Sequence, residues 1–146
     1  MSDRHVVFRV DRERYALPLE AVREVVLPQP PFASVPRSGG AVRGVMNLRG
    51  RVVAVVDLAE LMGLAPQALR GGQGQVVILE RDRRQLGLLI GGVLGVEALA
   101  PAEGRPGAAG ASPGMVRGVA PGAGGAVTLL EPDALAESAA ALFGTR

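Results

Sequence analysis

The sequence contains an internal repeat, and this repeat limits the possible folds more than any other feature. Residues 42–45 read Val-Arg-Gly-Val and recur without a gap at 116–119, an interval of about 74 residues. The same interval relates Asp57 to Glu131. An interval of about 71 residues relates apolar positions further upstream, namely Leu17, Val22 and Val25 with Leu88, Val93 and Val96. The chain is therefore expected to contain two copies of one structural unit.

Each copy consists of short apolar runs rich in Val and Leu, and Gly, Pro or charged turns separate the runs. A unit this small cannot bury its strands alone. The fold class predicted is mostly β, with two small five-stranded β-barrels that share a core, short helices and a C-terminal helix. Strands are predicted at 5–10, 15–19, 42–48, 51–56, 76–80, 85–90, 93–99, 115–119 and 126–130, and a helical turn that passes into a strand at 19–27.

The 146 residues are expected to form a single domain. The repeat places one subdomain at about 15–75 and the other at about 76–130, with strand 5–10 and a helix at 132–143 packed on the barrels. Asp57 is predicted to cap a short helix over 58–62. A Pro-rich loop and a Pro/Gly/Ala loop at 100–114 connect the strands.

Composition excludes several classes of function. The chain has no Cys, so it can form no disulfide and no thiolate metal site. All 16 basic residues are Arg, so no phosphate-binding loop with its Lys can form, and the net charge is only +2. Aromatic residues make up 3% of the chain and are scattered, which leaves a nucleic-acid-binding barrel as a weak alternative. No signal peptide or membrane span is evident, so a cytoplasmic location without membrane insertion is predicted.

The polar residues do not form a recognisable catalytic set. His5 is the single His, has no partner at a useful spacing, and is expected to be a solvated strand residue. The Asp and Glu residues fit helix caps and solvated faces. We therefore predict a non-enzymatic protein that needs no cofactor and no metal.

One hairpin differs between the copies and carries the candidate site. The first copy has Asn47, Leu48, Arg49 and Gly50 at its tip, whereas the second has Pro-Gly-Ala-Gly at 121–124. Arg49 in such a turn is either a solvated residue or a functional one. As a functional residue, its guanidinium would clamp a carboxylate or backbone carbonyls of a partner, or bridge to Glu24.

An exposed apolar patch of Val22, Val25 and Gly44 is expected beside Arg49, and it would suit a helix of another protein.

The ordered motifs resemble those of the CheW-like domain family. Residues 15–20 (Tyr-Ala-Leu-Pro-Leu-Glu) and 22–25 (Val-Arg-Glu-Val) resemble the opening of these domains. The run 42–50 (Val-Arg-Gly-Val-Met-Asn-Leu-Arg-Gly), followed by 55–58 (Val-Val-Asp-Leu), is similar to their central signature. Similarity to the second half of the family extends over 85–96 and 116–135, and so covers almost the whole chain.

The resemblance implies two five-stranded β-barrels and an adaptor role in chemotaxis. Such an adaptor bridges the cytoplasmic tip of chemoreceptors to the regulatory domain of the histidine kinase CheA. By motif position, Val22, Glu24, Gly44, Arg49 and Gly92 match family residues implicated in this coupling.

Val25 and Asn47, which lie beside these positions, complete the predicted receptor- and kinase-binding set. The family often has Asp where this chain has Gly91, so a side pathway such as pilus motility, or a decoy that regulates the kinase, stays open.

Overall fold

The computed structural model describes residues 3–29, 32–33, 40–69, 73–100 and 114–143. The predicted loop at 100–114 lies almost entirely outside these residues. The described chain contains ten strands and two helices. The strands are β1 Arg4–Val10, β2 Glu13–Pro18, β3 Val22–Val26, β4 Val42–Leu48, β5 Arg51–Asp57, β6 Gln75–Arg81, β7 Arg84–Ile90, β8 Gly92–Ala98, β9 Val116–Gly122 and β10 Gly125–Leu130. A single 3-10 turn, Leu19–Ala21, leads into β3 as predicted.

The ten strands form two five-stranded sheets. Sheet A has the order β8-β1-β2-β10-β9, and sheet B has the order β3-β6-β7-β5-β4. The prediction of a mostly β fold built from two five-stranded units is confirmed. Each sheet contains one parallel pair, β2 with β10 in sheet A and β5 with β7 in sheet B, and its other pairs are antiparallel.

The two copies of the repeat exchange their first hairpins. The β1–β2 hairpin of the first copy pairs with β8 and β10 of the second copy, and the β6–β7 hairpin of the second copy pairs with β3 and β5 of the first. The predicted subdomain boundary between residues 75 and 76 is therefore wrong, because sheet B runs from Val22 to Ile90 and sheet A combines both ends of the chain. Strand 5–10 likewise belongs to sheet A and does not pack on it from outside.

The repeat extends to the details of strand pairing. In sheet B the register shifts between Val42 and Gly44, and in sheet A it shifts where β10 passes from Leu129 to Leu130 against β9. These irregularities occupy equivalent positions of the two copies. The backbone N–H of Asp57 donates to the carbonyl of Ala41 at 2.8 Å, and that of Glu131 donates to the carbonyl of Met115 at 2.8 Å. The repeat is therefore structural, and not a chance match among Val residues.

One apolar core joins the two sheets. Phe8 and Leu17 of sheet A lie in the same buried cluster as Leu79 and Leu88 of sheet B, and all of them are almost fully inaccessible. Full burial of each such side chain contributes about 1.5–3 kcal/mol to folding. Each sheet also has a smaller cluster of its own on its other face. The shared cluster therefore packs the two sheets against each other.

Both helices begin at acidic residues that occupy equivalent positions of the repeat. Helix α1, Leu58–Leu61, begins after Asp57, whose carboxylate accepts from the backbone of Ala59. Helix α2, Pro132–Ala140, begins after Glu131, whose carboxylate accepts from the backbone of Asp133. Acceptors at this position satisfy amide groups that have no partner within the helix. The predicted short helix and C-terminal helix are confirmed, although α2 ends before residue 143.

Candidate partner-binding site

Sheet B carries every predicted site residue except Gly92. The residues are Val22, Glu24 and Val25 on β3, Gly44 and Asn47 on β4, and Arg49 in the turn that follows β4. Strands β3 and β4 are the two opposite edges of this sheet. The fold therefore has to curve to bring these residues together, as a small barrel does.

Arg49 and Glu24 form the contact that joins the two edges. The Nη2 of Arg49 donates a hydrogen bond to Oε2 of Glu24, and the two side chains form an ion pair. The hydrogen bond to Glu24 raises the pKa of the Arg49 guanidinium above its ordinary value. The Arg49 side chain is 67% exposed, against 24% for Glu24. Glu24 thus anchors a guanidinium that remains accessible to a partner.

The turn between β4 and β5 holds Arg49 in a defined backbone conformation. Arg49 has a φ of 51° and Gly50 a φ of 87°, so both turn residues lie in the left-handed region, as in a type I′ hairpin. Oδ1 of Asn47 accepts a hydrogen bond from the backbone N–H of Gly50 at 2.8 Å. A non-glycine residue is uncommon in this conformation and often marks a functional site. Asn47 therefore acts by fixing the turn that presents Arg49.

An irregularity in β3 sets the direction of its side chains. The register against β6 shifts between Val22 and Glu24. In the ladder, Val22 pairs with Leu79 and Val25 pairs with Val77. Val22 and Val25 are half-buried and pack against the shared core. They flank Glu24 along β3.

Gly44 does not belong to an exposed patch, which corrects the expectation from the sequence. It is buried, with a φ of +136°. A Cβ at this position would lie 2.4 Å from the carbonyl oxygen of Ala33 and 2.7 Å from Cβ of Phe32. Ala33 pairs with Val45 through two backbone hydrogen bonds of 3.1 and 2.9 Å. Gly44 therefore allows the segment at Phe32 and Ala33 to cross β4, and its role is to shape the site.

Gly92 lies in sheet A, at the start of β8, where it pairs with Arg9. No described contact connects it to the Glu24–Arg49 pair. The same strand exposes Leu94 and Val96, at 49% and 54%. The sequence analysis did not include these two residues in the predicted binding set. The repeat could have indicated Val96, because it relates this residue to Val25, which is in the set.

Beside the site, a buried polar network supports β4. The Asp57 carboxylate, which is inaccessible to solvent, accepts from Arg43 Nη2 at 2.7 Å and from the Gln67 side chain at 2.9 Å. The Gln67 amide also donates to the carbonyl of Leu89 on β7 at 2.8 Å. The sequence predicted only the capping role of Asp57, because nothing in the spacing identifies Gln67 as its partner.

Other features of the described chain lie away from this site. His5 is 7% exposed, and its Nδ1 lies 2.6 Å from the carbonyl oxygen of Asp3, so the expectation of a solvated His is wrong. Within the described residues, no group of three or more His, Asp or Glu side chains could hold a metal ion, and no helix is long and apolar enough to cross a membrane. A pocket of about 620 Å³ lies between the β6–β7 hairpin and α2, and no predicted site residue lines it.

Comparison with known proteins identifies relatives over most of the chain. The sequence model of the CheW-like domain family matches residues 4–140. The chemotaxis protein CheW of Thermotoga maritima is 30% identical over 89 residues, which are 61% of this chain and 57% of that protein. Protein PilI of Pseudomonas aeruginosa is 31% identical over 90 residues, 62% of this chain and 49% of that protein. The chain thus matches between about half and three fifths of the length of these relatives.

A solved structure has the same fold. The crystal structure of the scaffolding protein TtCheW from Thermoanaerobacter tengcongensis superposes with a TM-score of 0.75 and covers 90% of each chain, at 24% sequence identity. The family match extends over both sheets and both helices. The repeat, the Arg49 hairpin and its contact with Glu24 all lie within the matched residues. The chain therefore belongs to the CheW-like domain family.

Proposed function

We propose that this chain is a non-enzymatic adaptor that couples chemoreceptors to the histidine kinase CheA. The observation that supports the proposal most is the contact between Glu24 and Arg49, because it joins the family-matching residues of two sheet edges into one surface. Membership of the CheW-like family supports the same role. The Rhizobium etli relative, 30% identical over 93 residues, is described as a probable chemotaxis protein CheW.

The site suits binding rather than turnover. The acidic residues near it have structural partners: Asp57 caps α1 and pairs with Arg43, and Glu24 pairs with Arg49. Val22 and Val25 supply half-buried apolar surface on the strand whose Glu24 holds an accessible guanidinium. Arg residues often anchor protein–protein interfaces, in which apolar contacts form the centre and polar groups the rim.

Each site residue has a distinct role in this proposal. One amino group of Arg49 donates a hydrogen bond to Glu24, and the remaining N–H groups donate to carbonyl or carboxylate groups of the partner. Val22 and Val25 contact apolar side chains of the partner. Asn47 and Gly44 do not contact the partner directly. Asn47 fixes the turn, and Gly44 leaves the space that the chain at Phe32 and Ala33 needs to cross β4. Gly92 belongs to a second contact in sheet A.

The proposed partners are the cytoplasmic tip of a chemoreceptor and the CheA regulatory domain. The adaptor would therefore work in the cytoplasm, next to the membrane in receptor arrays, with no cofactor and no nucleic acid. Individual contacts are expected to be modest in affinity, because an array raises the effective concentration of each partner.

A chemosensory pathway for pilus motility is the second candidate. The identity of 31% to the Pseudomonas aeruginosa protein PilI favours it, since this value is similar to that for the chemotaxis relatives. Deleting the gene and scoring swimming and twitching separately distinguishes them.

Binding of each partner alone tests the coupling proposal. Purified protein is titrated against a CheA regulatory domain and, separately, against a receptor cytoplasmic fragment. Binding to both, weakened by Arg49→Ala and by Glu24→Ala, is expected of a coupling adaptor. Binding to the kinase domain alone would support a decoy that regulates the kinase, and binding to neither would overturn the proposal.

A further inference from the structure

Arg9 and Arg14 lie directly opposite each other in sheet A. Arg9 is on β1 and Arg14 on β2, and the two residues are Cα partners in the antiparallel ladder. Their side chains share one face of the sheet, which is also the face of the pair Val7 and Ala16 two positions along. Like charges in this arrangement repel each other and lower the stability of the sheet. The arginine pair is therefore unfavourable in the protein alone.

No carboxylate of the described chain neutralises this pair by direct contact. Neither Arg9 nor Arg14 forms an ion pair with a described residue. The acidic residues beside them in the hairpin, Asp11 and Glu13, form no such ion pair either. Glu97 instead accepts a hydrogen bond from the backbone of the β9–β10 turn at 2.9 Å. Both guanidiniums therefore keep N–H groups that can donate to a partner.

Glycine backbone leaves the space that the two guanidiniums occupy. A Cβ at Gly124, in the turn between β9 and β10, would overlap the guanidinium of Arg14. A Cβ at Gly91 would lie 3.3 Å from Nε of Arg9, and one at Gly92 would lie 3.8 Å from Nη2 of Arg9. Strands β8 and β10 lie on opposite sides of the β1–β2 hairpin, so the two guanidiniums lean away from each other. Two carboxylates spaced along a chain fit this arrangement better than one small anion.

The repeat shows that the fold does not require an arginine pair at this place. The interval of about 71 residues relates Arg9 to Glu80 and Arg14 to Gln85, which are Cα partners in the β6–β7 ladder of sheet B. Glu80 forms an ion pair with Arg23 at 3.5 Å, so its charge has a complement within the protein. Among the described residues, the equivalent charges of sheet A have no such complement.

We propose that Arg9 and Arg14 bind an acidic peptide segment of a partner protein, with one carboxylate of the segment on each guanidinium. Charge complementarity determines this occupant, because two carboxylates relieve the repulsion between the arginines and form charge-assisted hydrogen bonds with both. Gly92 leaves space for Arg9, so the site supplies the chemistry of the second contact in sheet A. Assigning the segment to a coupling partner rests on the proposed function, whereas the preference for carboxylates does not.

Titration of the full chain with an oligoglutamate peptide at low ionic strength tests the site. Two-dimensional NMR follows the Nε–H signals of the arginines in the wild type, Arg9→Ala and Arg14→Ala. Arg12→Ala is the matched control, because Arg12 lies in the turn of the same hairpin, is exposed, and forms no ion pair with a described residue. Oligoglutamine, inorganic phosphate and double-stranded DNA are the comparison ligands.

We expect oligoglutamate to shift the signals of Arg9 and Arg14 more than that of Arg12. Arg9→Ala and Arg14→Ala should each weaken binding of the peptide by about fivefold, and Arg12→Ala by less than about twofold. Equal losses in the three variants, or no binding, would overturn the inference. Binding of phosphate or DNA to the two arginines as tightly as oligoglutamate would also overturn it, as would equal binding of oligoglutamine.

Recruitment of CheA to vesicles that display a receptor fragment separates this inference from the proposed function. We expect the double variant, Arg9→Ala with Arg14→Ala, to reduce the recruited CheA by about fivefold, and Arg12→Ala to leave it unchanged. Normal recruitment by the double variant, together with a loss in Arg49→Ala, would overturn the inference and leave the proposed function standing. If the wild type recruits no CheA, the proposed function fails, and the peptide titration still decides whether the site binds carboxylates.

Discussion

Arg49 and Glu24 are 25 positions apart in the sequence and form an ion pair between opposite edges of a five-stranded sheet. The contact holds the exposed guanidinium at the edge strand β3. A side chain anchored by one partner loses less conformational freedom when it binds a second. The pair therefore prepares Arg49 for recognition.

Replacing Arg49 with Ala should weaken binding of a partner protein by about tenfold or more, because the anchored guanidinium is lost. The fold should persist, since exposed ion pairs contribute little to stability. Isothermal titration calorimetry gives the affinity, and circular dichroism checks the fold.

Arg51→Ala is the matched control for this substitution. Arg51 directly follows the same turn, is exposed, and forms no ion pair with a described residue. Equal losses of affinity in both variants would show that general positive charge, and not the anchored guanidinium, is recognised.

Gly44→Ala should destabilise the protein by about 3 kcal/mol, since the added methyl group overlaps Ala33 and Phe32 and the φ of +136° disfavours any side chain. Gly50→Ala has a φ of +87° but no atom within 4 Å of the new Cβ, so it should cost only about 1 kcal/mol. Urea unfolding measures both. Similar losses would mean that the segment at Phe32 moves aside easily.

Asp57→Ala should cost about 3 kcal/mol or more, because it leaves Arg43 and Gln67 without their buried acceptor. The equivalent change Glu131→Ala should cost about 1 kcal/mol, since Glu131 is a partly exposed cap. Denaturant unfolding of the two variants gives the comparison. An equal cost at both positions would contradict the importance assigned to the buried network.

The stability of the protein should depend on the ionisation of Glu131 in acid. The hydrogen bond from Arg117 lowers the pKa of the Glu131 carboxyl below its ordinary value of 4.5. Because the pKa is lower in the folded state, the ionised Glu131 contributes to the free energy of unfolding. This contribution is complete at pH values above the ordinary pKa of 4.5, and it is lost as the pH falls through the lower pKa of the folded state. Glu131→Gln should therefore be less stable than the wild type at neutral pH, and the difference should vanish in acid. A difference that is constant with pH would contradict the effect.

The sequence was sufficient to predict the strands, the repeat and both helices, because apolar periodicity and caps are local signals. It could not predict the exchange of hairpins. The β1–β2 and β6–β7 hairpins have similar apolar patterns, so either could pair with β5 or β10 by pattern alone. The choice is set by tertiary packing, which the sequence does not display locally.

The candidate site was predicted in part for the same reason. The Arg49 turn is recognisable from its residues, and the bridge to Glu24 was one of the alternatives that the sequence left open. The burial of Gly44 depends on the path of the chain at Phe32 and Ala33, which carries no periodic signal.

Recruitment of the kinase by receptor-bearing vesicles tests the coupling role most directly. CheA is mixed with vesicles that display a receptor cytoplasmic fragment, this protein is added at increasing concentration, and the CheA that sediments with the vesicles is measured. A coupling adaptor predicts that CheA sediments only when the protein is present, and that Arg49→Ala reduces the amount while Arg51→Ala does not. Sedimentation of CheA that is independent of the added protein would contradict the account.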